Sequence, residues 1–340
     1  MKKLRILALM HEYLMPPEGA TPQDAIAADW KMEFDVTATL RKLDHEVRHL
    51  GVGDDLGVIR KAIDEWKPHI AFNLLEDFDG VNVFDQNVVS YLELLRLPYT
   101  GCNPRGLLLA RDKSLAKKLL HFHRIPLPEF VVFPMGRKAA RRPKRLDFPL
   151  IVKSLTKEAS TGIAQASVVE SDEKLVERVR FIHENIGTDA IVERYVDGRE
   201  LYVGLLGNER LEVLPVWELQ FTKWPEEAWR IATDRVKWSR TYQKKRGIKT
   251  GEAKLPEGIA ERIQYLCKRV YKTLGMSGYA RMDLRLDAEG RVYVLEANPN
   301  PQLAYGEDFA ESAERAGIEY GELLQRIVNY GLRWRADRLG

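Results

Sequence analysis

The segment 278–298, GYARMDLRLDAEGRVYVLEAN, constrains this 340-residue chain more than any other. Alternating apolar residues flank the polar break Asp287-Ala288-Glu289-Gly290, the pattern of two strands joined by a turn. Arg281 and Asp283 stand two apart on the first strand and so share a face. Glu296 and Asn298 do the same at the end of the second. Folding the hairpin brings Asp283, Glu296 and Asn298 together, with Arg281 beside them. Two carboxylates and an amide oxygen are hard ligands, suited to Mg2+ that keeps positions open for water and phosphate. The same residues also fit an ordinary surface hairpin with acidic outward side chains, so the choice rests on the remaining chain.

A nearly balanced charge, 53 basic against 50 acidic residues, argues against nucleic acid as the main partner. The basic run Arg137–Arg145 (RKAARRPKR) reads as a solvated loop. Cys102 and Cys267 lie far apart without metal-type spacing, so a reducing, cytoplasmic setting is expected. The brief apolar run Leu4–Met10 reads as a buried first strand rather than a signal segment. No stretch approaches the 18 apolar residues of a membrane span.

Strands are expected at Leu4–Met10, His45–Leu50 and His69–Leu74, with a further short strand beginning at Pro98–Gly101. Helical spacing covers Ala25–Leu43, Leu56–Trp66 and Asn87–Leu95. This alternation predicts a small doubly wound parallel sheet, with a ligand near the loops Met10–Gly19 and Glu76–Asn82. A helix around Lys113–Phe122 leads to Pro126 and Pro128, after which the chain changes character. Strands at Phe130–Phe133, Phe148–Lys153, Ile163–Val169, Ala190–Tyr195 and Glu200–Leu206, with helices Asp172–Asn185 and Leu255–Leu274, predict an α+β module.

Four motifs then occur in order: LPYTGCNPRGLLLARDK (97–113), FPLIVKSLTKEASTGI (148–163), IVERYVDGRELYVGLLGN (191–208) and GYARMDLRLDAEGRVYVLEANPNP (278–301). Together they resemble the ATP-grasp superfamily, and within it the D-alanine–D-alanine ligase-like group. The resemblance implies an ATP-grasp fold of mixed α/β and α+β class. It divides into an N-terminal doubly wound domain (1–101), a central subdomain with a phosphate lid (102–190) and a C-terminal subdomain with the Mg2+ site (191–340). It implies ATP and Mg2+ (or Mn2+) as cofactors, a small carboxylate and an amine as substrates, and allows a homodimer.

By the same resemblance, Lys113 and Lys153 would grip ATP phosphates. Lys153 ends a buried strand, where an ammonium is costly without an anionic partner. Glu193 would accept from the adenine amino group, with Arg194, Tyr195 and Val196 lining the base, and Glu200 would accept from ribose. The lid 153–162 carries Ser160 and Thr161 but fewer glycines than the family pattern. Lys237, beside Trp238, would close over the γ-phosphate, although a solvated lysine fits equally. Arg281 would stabilise charge on phosphoryl and tetrahedral oxygens, a structural ion pair with Asp283 being its other reading, and Asp283, Glu296 and Asn298 would hold the metal.

The substrate end departs from true D-alanine–D-alanine ligases. The glycine- and serine-rich loop after the first strand, with its amine-binding glutamate, is replaced by HEYLMPP, leaving Glu12. A histidine–glycine pair is replaced by Leu75-Glu76-Asp77. After the metal asparagine the chain reads Pro301-Gln302-Leu303 and then Tyr305-Gly306-Glu307-Asp308. Glu12, Glu76, Gln302, Glu307 and Asp308 are therefore the candidate substrate residues, the acids favouring an amine-rich acceptor. Glu307 and Asp308 also fit a helix N-terminus. The expected activity is carboxylate–amine ligation with substrates other than two D-alanines. An authentic D-alanine–D-alanine ligase and a catalytically silent nucleotide-binding regulator are the alternatives.

Overall fold

The computed structural model describes residues 3–137, 142–157 and 160–336. Residues 138–141 of the basic run and Glu158 and Ala159 of the expected lid lie outside the described residues.

The N-terminal sheet is parallel. β1 (Arg5–His11) lies between β2 (Glu46–Val52) and β3 (Ile70–Asn73). β1 and β3 are almost wholly buried, as a sheet covered on both faces requires. The strand expected from Pro98 is reduced to one bridge between Ala71 and Tyr99. Gly101, at φ 96°, turns the chain away directly afterwards. The long helix expected over 25–43 is instead two helices, Pro22–Ala25 and Lys31–Lys42. A reciprocal cap between Thr21 and Asp24, with Pro22 in the first turn, starts the chain helical early, and residues 26–29 then leave the helix to line a cavity.

The central sheet is antiparallel, ordered β4 (Phe130–Phe133), β7 (Ala190–Arg194), β5 (Leu150–Ser154), β6 (Val168–Val169). The strand expected over 163–169 shrinks to β6, because Ser167 Oγ accepts from Ala164 N (3.0 Å) and folds 165–167 into a tight turn. Helix Asp172–Phe181 continues through one π-helical turn to Ile186. β7, at the start of the expected C-terminal subdomain, pairs here with β4 and β5.

The C-terminal sheet is also antiparallel. Its order is β11 (Ile248–Glu252), β10 (Trp217–Phe221), β8 (Arg199–Leu206), β12 (Tyr279–Leu286) and β13 (Val292–Pro299), with β9 (Glu212–Val213) on β8. Helix Ile259–Thr273 buries Ile263, Leu266, Cys267 and Val270 in one core with Leu201, Val203, Met282 and Leu284 of this sheet. The last helix, Tyr320–Arg333, returns to the first domain, where Leu324, Ile327 and Val328 share a core with Ile6, Ile70 and Phe72.

Candidate active site

The opening hairpin forms as its alternation predicts. Asp283 faces Glu296 across the β12–β13 ladder, Arg281 faces Asn298, and a bulge follows Asp283. A bulge of this kind re-aims side chains and ends regular pairing, here beside the two carboxylates. The start of β12 is fixed by contact between two glycines. Gly278 (φ 71°) lies so close to residue 101 that a Cβ on it would meet Gly101 O at 2.3 Å.

Beside the hairpin opens a cavity of about 1160 Å3. Lys113, Lys153, Ser160, Thr161, Lys237 and Arg281 line it, together with Glu296 and Asn298. Of the candidate substrate residues, Glu76, Gln302, Glu307 and Asp308 line it too. Glu12 does not. It sits in a 3-10 turn, Glu12–Leu14, with its side chain against Gly51 and Gly53 at the end of β2. Asp283, Glu193, Arg194, Tyr195, Val196 and Glu200 are not among its lining residues.

Four charged groups in and beside the wall, Lys113, Lys153, Arg281 and Glu200, have a counter-charge. Arg281 grips Asp283 with two bonds, Nε at 2.8 Å and Nη2 at 3.0 Å, and its guanidinium carbon lies 4.7 Å from the centre of the Tyr202 ring. Burial pushes the Asp283 carboxyl above its ordinary value even so. Burial would also lower Arg281, but Asp283 more than offsets it and holds the guanidinium charged. Lys113 heads its helix, where the Asp112 cap accepts from Leu115 N; its Nζ lies 3.0 Å from Glu296 Oε1 and donates to Lys157 O at 2.8 Å. For Glu296 burial acts upward, yet Lys113, Lys153 and Lys237 together lower its carboxyl to about 2. This carboxylate is therefore ionised at any physiological pH.

Lys153, on β5, has the anionic partner that its buried position demands: Glu193 Oε2 at 3.2 Å. Glu200 accepts from Tyr202 OH at 2.9 Å and from Arg285 Nη2 at 2.8 Å. Tyr195 packs edge-on against Trp229, ring centres 5.1 Å apart, and Arg194 lies over Tyr293 at 5.3 Å. Ser160, at φ 62°, donates from Oγ to Ala232 O at 2.7 Å, tying the lid end to the segment before Lys237. Glu307 occupies the N-cap position of helix Asp308–Arg315, but its side chain makes no capping bond.

Several residues escaped sequence reasoning. Lys117 lies 3.2 Å from Glu193 Oε1; its signal was its position four residues after Lys113 on one helix face. Arg285 alternates with Arg281 and Asp283 on one strand face, which was legible. Glu33 was not legible. It is 1% exposed, no other residue hydrogen-bonds its carboxylate oxygens, and burial raises its carboxyl to about 7, its own backbone N–H opposing and Glu76 adding a smaller push upward. Glu76 is open to the cavity yet deep among protein atoms, and its carboxyl is likewise raised by burial, with Arg111 and His11 opposing. Arg111 forms a buried pair with Asp85 at 2.6 Å.

The donor set suits a hard cation. Among the described residues no three His, Cys, Asp or Glu side chains gather into a metal-binding group. The hairpin offers two carboxylates, with the Asn298 amide beside them, whose buried Nδ2 lacks a partner. No helix among the described residues is long and apolar enough to cross a membrane.

Comparison with known proteins agrees with this arrangement. A protein of Sinorhizobium fredii, y4sG, is 31% identical over 329 residues, covering 94% of this chain and 91% of its own. The D-alanine–D-alanine ligase of Desulforudis audaxviator is 29% identical, covering 86% and 90%. The solved D-alanine–D-alanine ligase of Bacillus anthracis, in complex with ATP, superposes with a TM-score of 0.75 at 23% identity, covering 97% of this chain and 98% of its own. VanG D-Ala:D-Ser ligase from Enterococcus faecalis superposes at 0.70 and 17% identity, covering 97% and 100%. The three sheets thus form an ATP-grasp fold. Residues 119–329 match the family described as D-ala D-ala ligase C-terminus, and the chain belongs to that family of ATP-dependent carbon–nitrogen ligases.

Proposed function

We propose that the protein is an ATP- and Mg2+-dependent carboxylate–amine ligase whose substrates are not two D-alanines. The observation that carries the ligase reading is the convergence of Lys113, Lys153, Lys237 and Arg281 on one cavity that Glu296 and Asn298 also line, with Asp283 facing Glu296 across the ladder. Compact cations around a hard-cation site suit a polyphosphate. The Bacillus anthracis neighbour, solved with ATP, supports the same ligand. Asp283, Glu296 and the Asn298 amide oxygen would hold Mg2+ (or Mn2+), which when bound neutralises phosphate charge.

In the first step an oxygen of the substrate carboxylate attacks the γ-phosphorus, and the bond to the bridging oxygen of ADP breaks. Lys113, Lys153 and Lys237 hold the phosphates, and Arg281 faces the charge that develops on the transferred group. In the second step a neutral amine attacks the acyl carbon, inorganic phosphate leaves with its oxygen, and the amine proton passes to solvent. No covalent enzyme intermediate is required.

The substrate end supports amine recognition. Glu76 lines the cavity, and burial raises its carboxyl's affinity for protons, a group that an ammonium would ionise and satisfy. Glu307, Asp308 and Gln302, whose buried Oε1 has no partner, face the same cavity. The acidic replacements around the acceptor position support an acceptor other than D-alanine, and the VanG neighbour's name shows that a ligase of this fold takes a different acceptor. Replacement Glu296→Ala is expected to reduce substrate-dependent ADP release by at least about 100-fold, the scale of losing a transition-state contact. Unchanged turnover would remove the metal assignment.

A further inference from the structure

Glu193 is 1% exposed, with Lys117 Nζ 3.2 Å from one carboxylate oxygen and Lys153 Nζ 3.2 Å from the other. Only Lys153 lines the cavity. Lys117 is 3% exposed, and its Nζ also donates to the carbonyl of Leu295 at 3.0 Å, one residue before Glu296. One buried cation therefore touches both the central sheet, through β7, and the C-terminal sheet, through β13.

We propose that Lys117 is a positioning residue, the permanent counter-ion of Glu193, whose presence frees Lys153 to leave that carboxylate for a phosphate anion. The proposal rests on the reading of Lys153 as a phosphate contact. A buried carboxylate stripped of both cations is strongly unfavourable. With Lys117 in place, Glu193 keeps a partner while Lys153 turns to phosphate. Burial alone would push the Glu193 carboxyl up, and Lys117 is the first of the two lysines that bring it below its ordinary value; burial lowers Lys117 in turn, with Glu193 opposing, so the two charges depend on each other. Without Lys117, any phosphate oxygen competes with Glu193 for the one remaining ammonium. The bond to Leu295 O fixes Lys117 from the other side, so it does not follow Lys153 toward the cavity.

Calorimetric titration of the full chain with a non-hydrolysable ATP analogue plus Mg2+, and separately with adenosine, tests this. In Lys117→Met the affinity ratio of analogue to adenosine is expected to fall about tenfold, the scale of a lost charge contact. In Lys117→Met/Glu193→Gln, where no carboxylate holds Lys153, the ratio is expected to recover. Equal weakening of both ligands in Lys117→Met, or a ratio that stays low in the double variant, would overturn the proposal. Should Lys117→Met fail to fold, Glu193→Gln alone is compared with the double variant, neither of which leaves a bare carboxylate. Their ratios are expected to agree within about twofold, about 0.4 kcal/mol, and a larger gap would overturn it. A parent protein that binds adenosine but not the analogue contradicts the phosphate reading on which the proposal rests, a result distinct from any of the variant outcomes.

Discussion

Glu33 shows how one side chain sets a pH dependence. Its ordinary pKa near 4.5 rises to about 7 in the fold, burial being the larger cause and Glu76 the smaller. The sign follows from linkage: a raised folded value contributes stability that is full below about 4.5 and lost as pH rises through about 7. Glu33→Gln removes that loss. The empty variant is expected to exceed the parent at pH 8 by roughly 1–3 kcal/mol and to match it more closely at pH 4.5. Thermal melts at the two pH values check this, and equal differences at both would contradict it. Nothing in the string KMEFDV marks Glu33, because its environment is built by residues over 40 positions away, such as Glu76.

At the level of elements, the hairpin was legible because strand alternation places side chains on faces without reference to any other part of the chain. Arg281, Asp283, Glu296 and Asn298 do lie across one ladder. The cations that answer the carboxylates were only half legible. Lys113 and Lys153 came through a resemblance of motifs, whereas Lys117 is held by tertiary contacts with Glu193 and Leu295 O. The helix over 25–43 misled because apolar spacing continues across a backbone break, and spacing does not register the early cap at Thr21. β10 and β11 pair across a connection of 26 residues, 222–247, a separation that local pattern cannot bridge. The contact between Gly101 and Gly278 is likewise a property of two elements. Gly278→Ala places a methyl at a positive φ against backbone and is expected to cost about 2–4 kcal/mol, measured by urea unfolding. A change below about 0.5 kcal/mol would contradict the close packing described.

Across the whole molecule, the last helix closes the structure onto its first sheet. Ile327 and Val328 are fully buried in one core with Ile6 and Ile70, so residues at opposite ends of the chain stabilise each other. Ile327→Ala is expected to cost about 2–5 kcal/mol, with the loss appearing in the N-terminal sheet by hydrogen exchange. The cavity gathers Glu76 from beyond the end of the N-terminal sheet's β3, Lys153 from the central sheet and Glu296 from the C-terminal sheet, so its chemistry exists only when all three are assembled. Substrate identity is the central claim at this scale. ADP release by the purified protein with ATP and Mg2+ tests it most directly, comparing D-alanine alone with a pool of amino acids and amine-rich acceptors. Release is expected with members of the pool and little with D-alanine alone; robust turnover with D-alanine alone would overturn the proposed specificity.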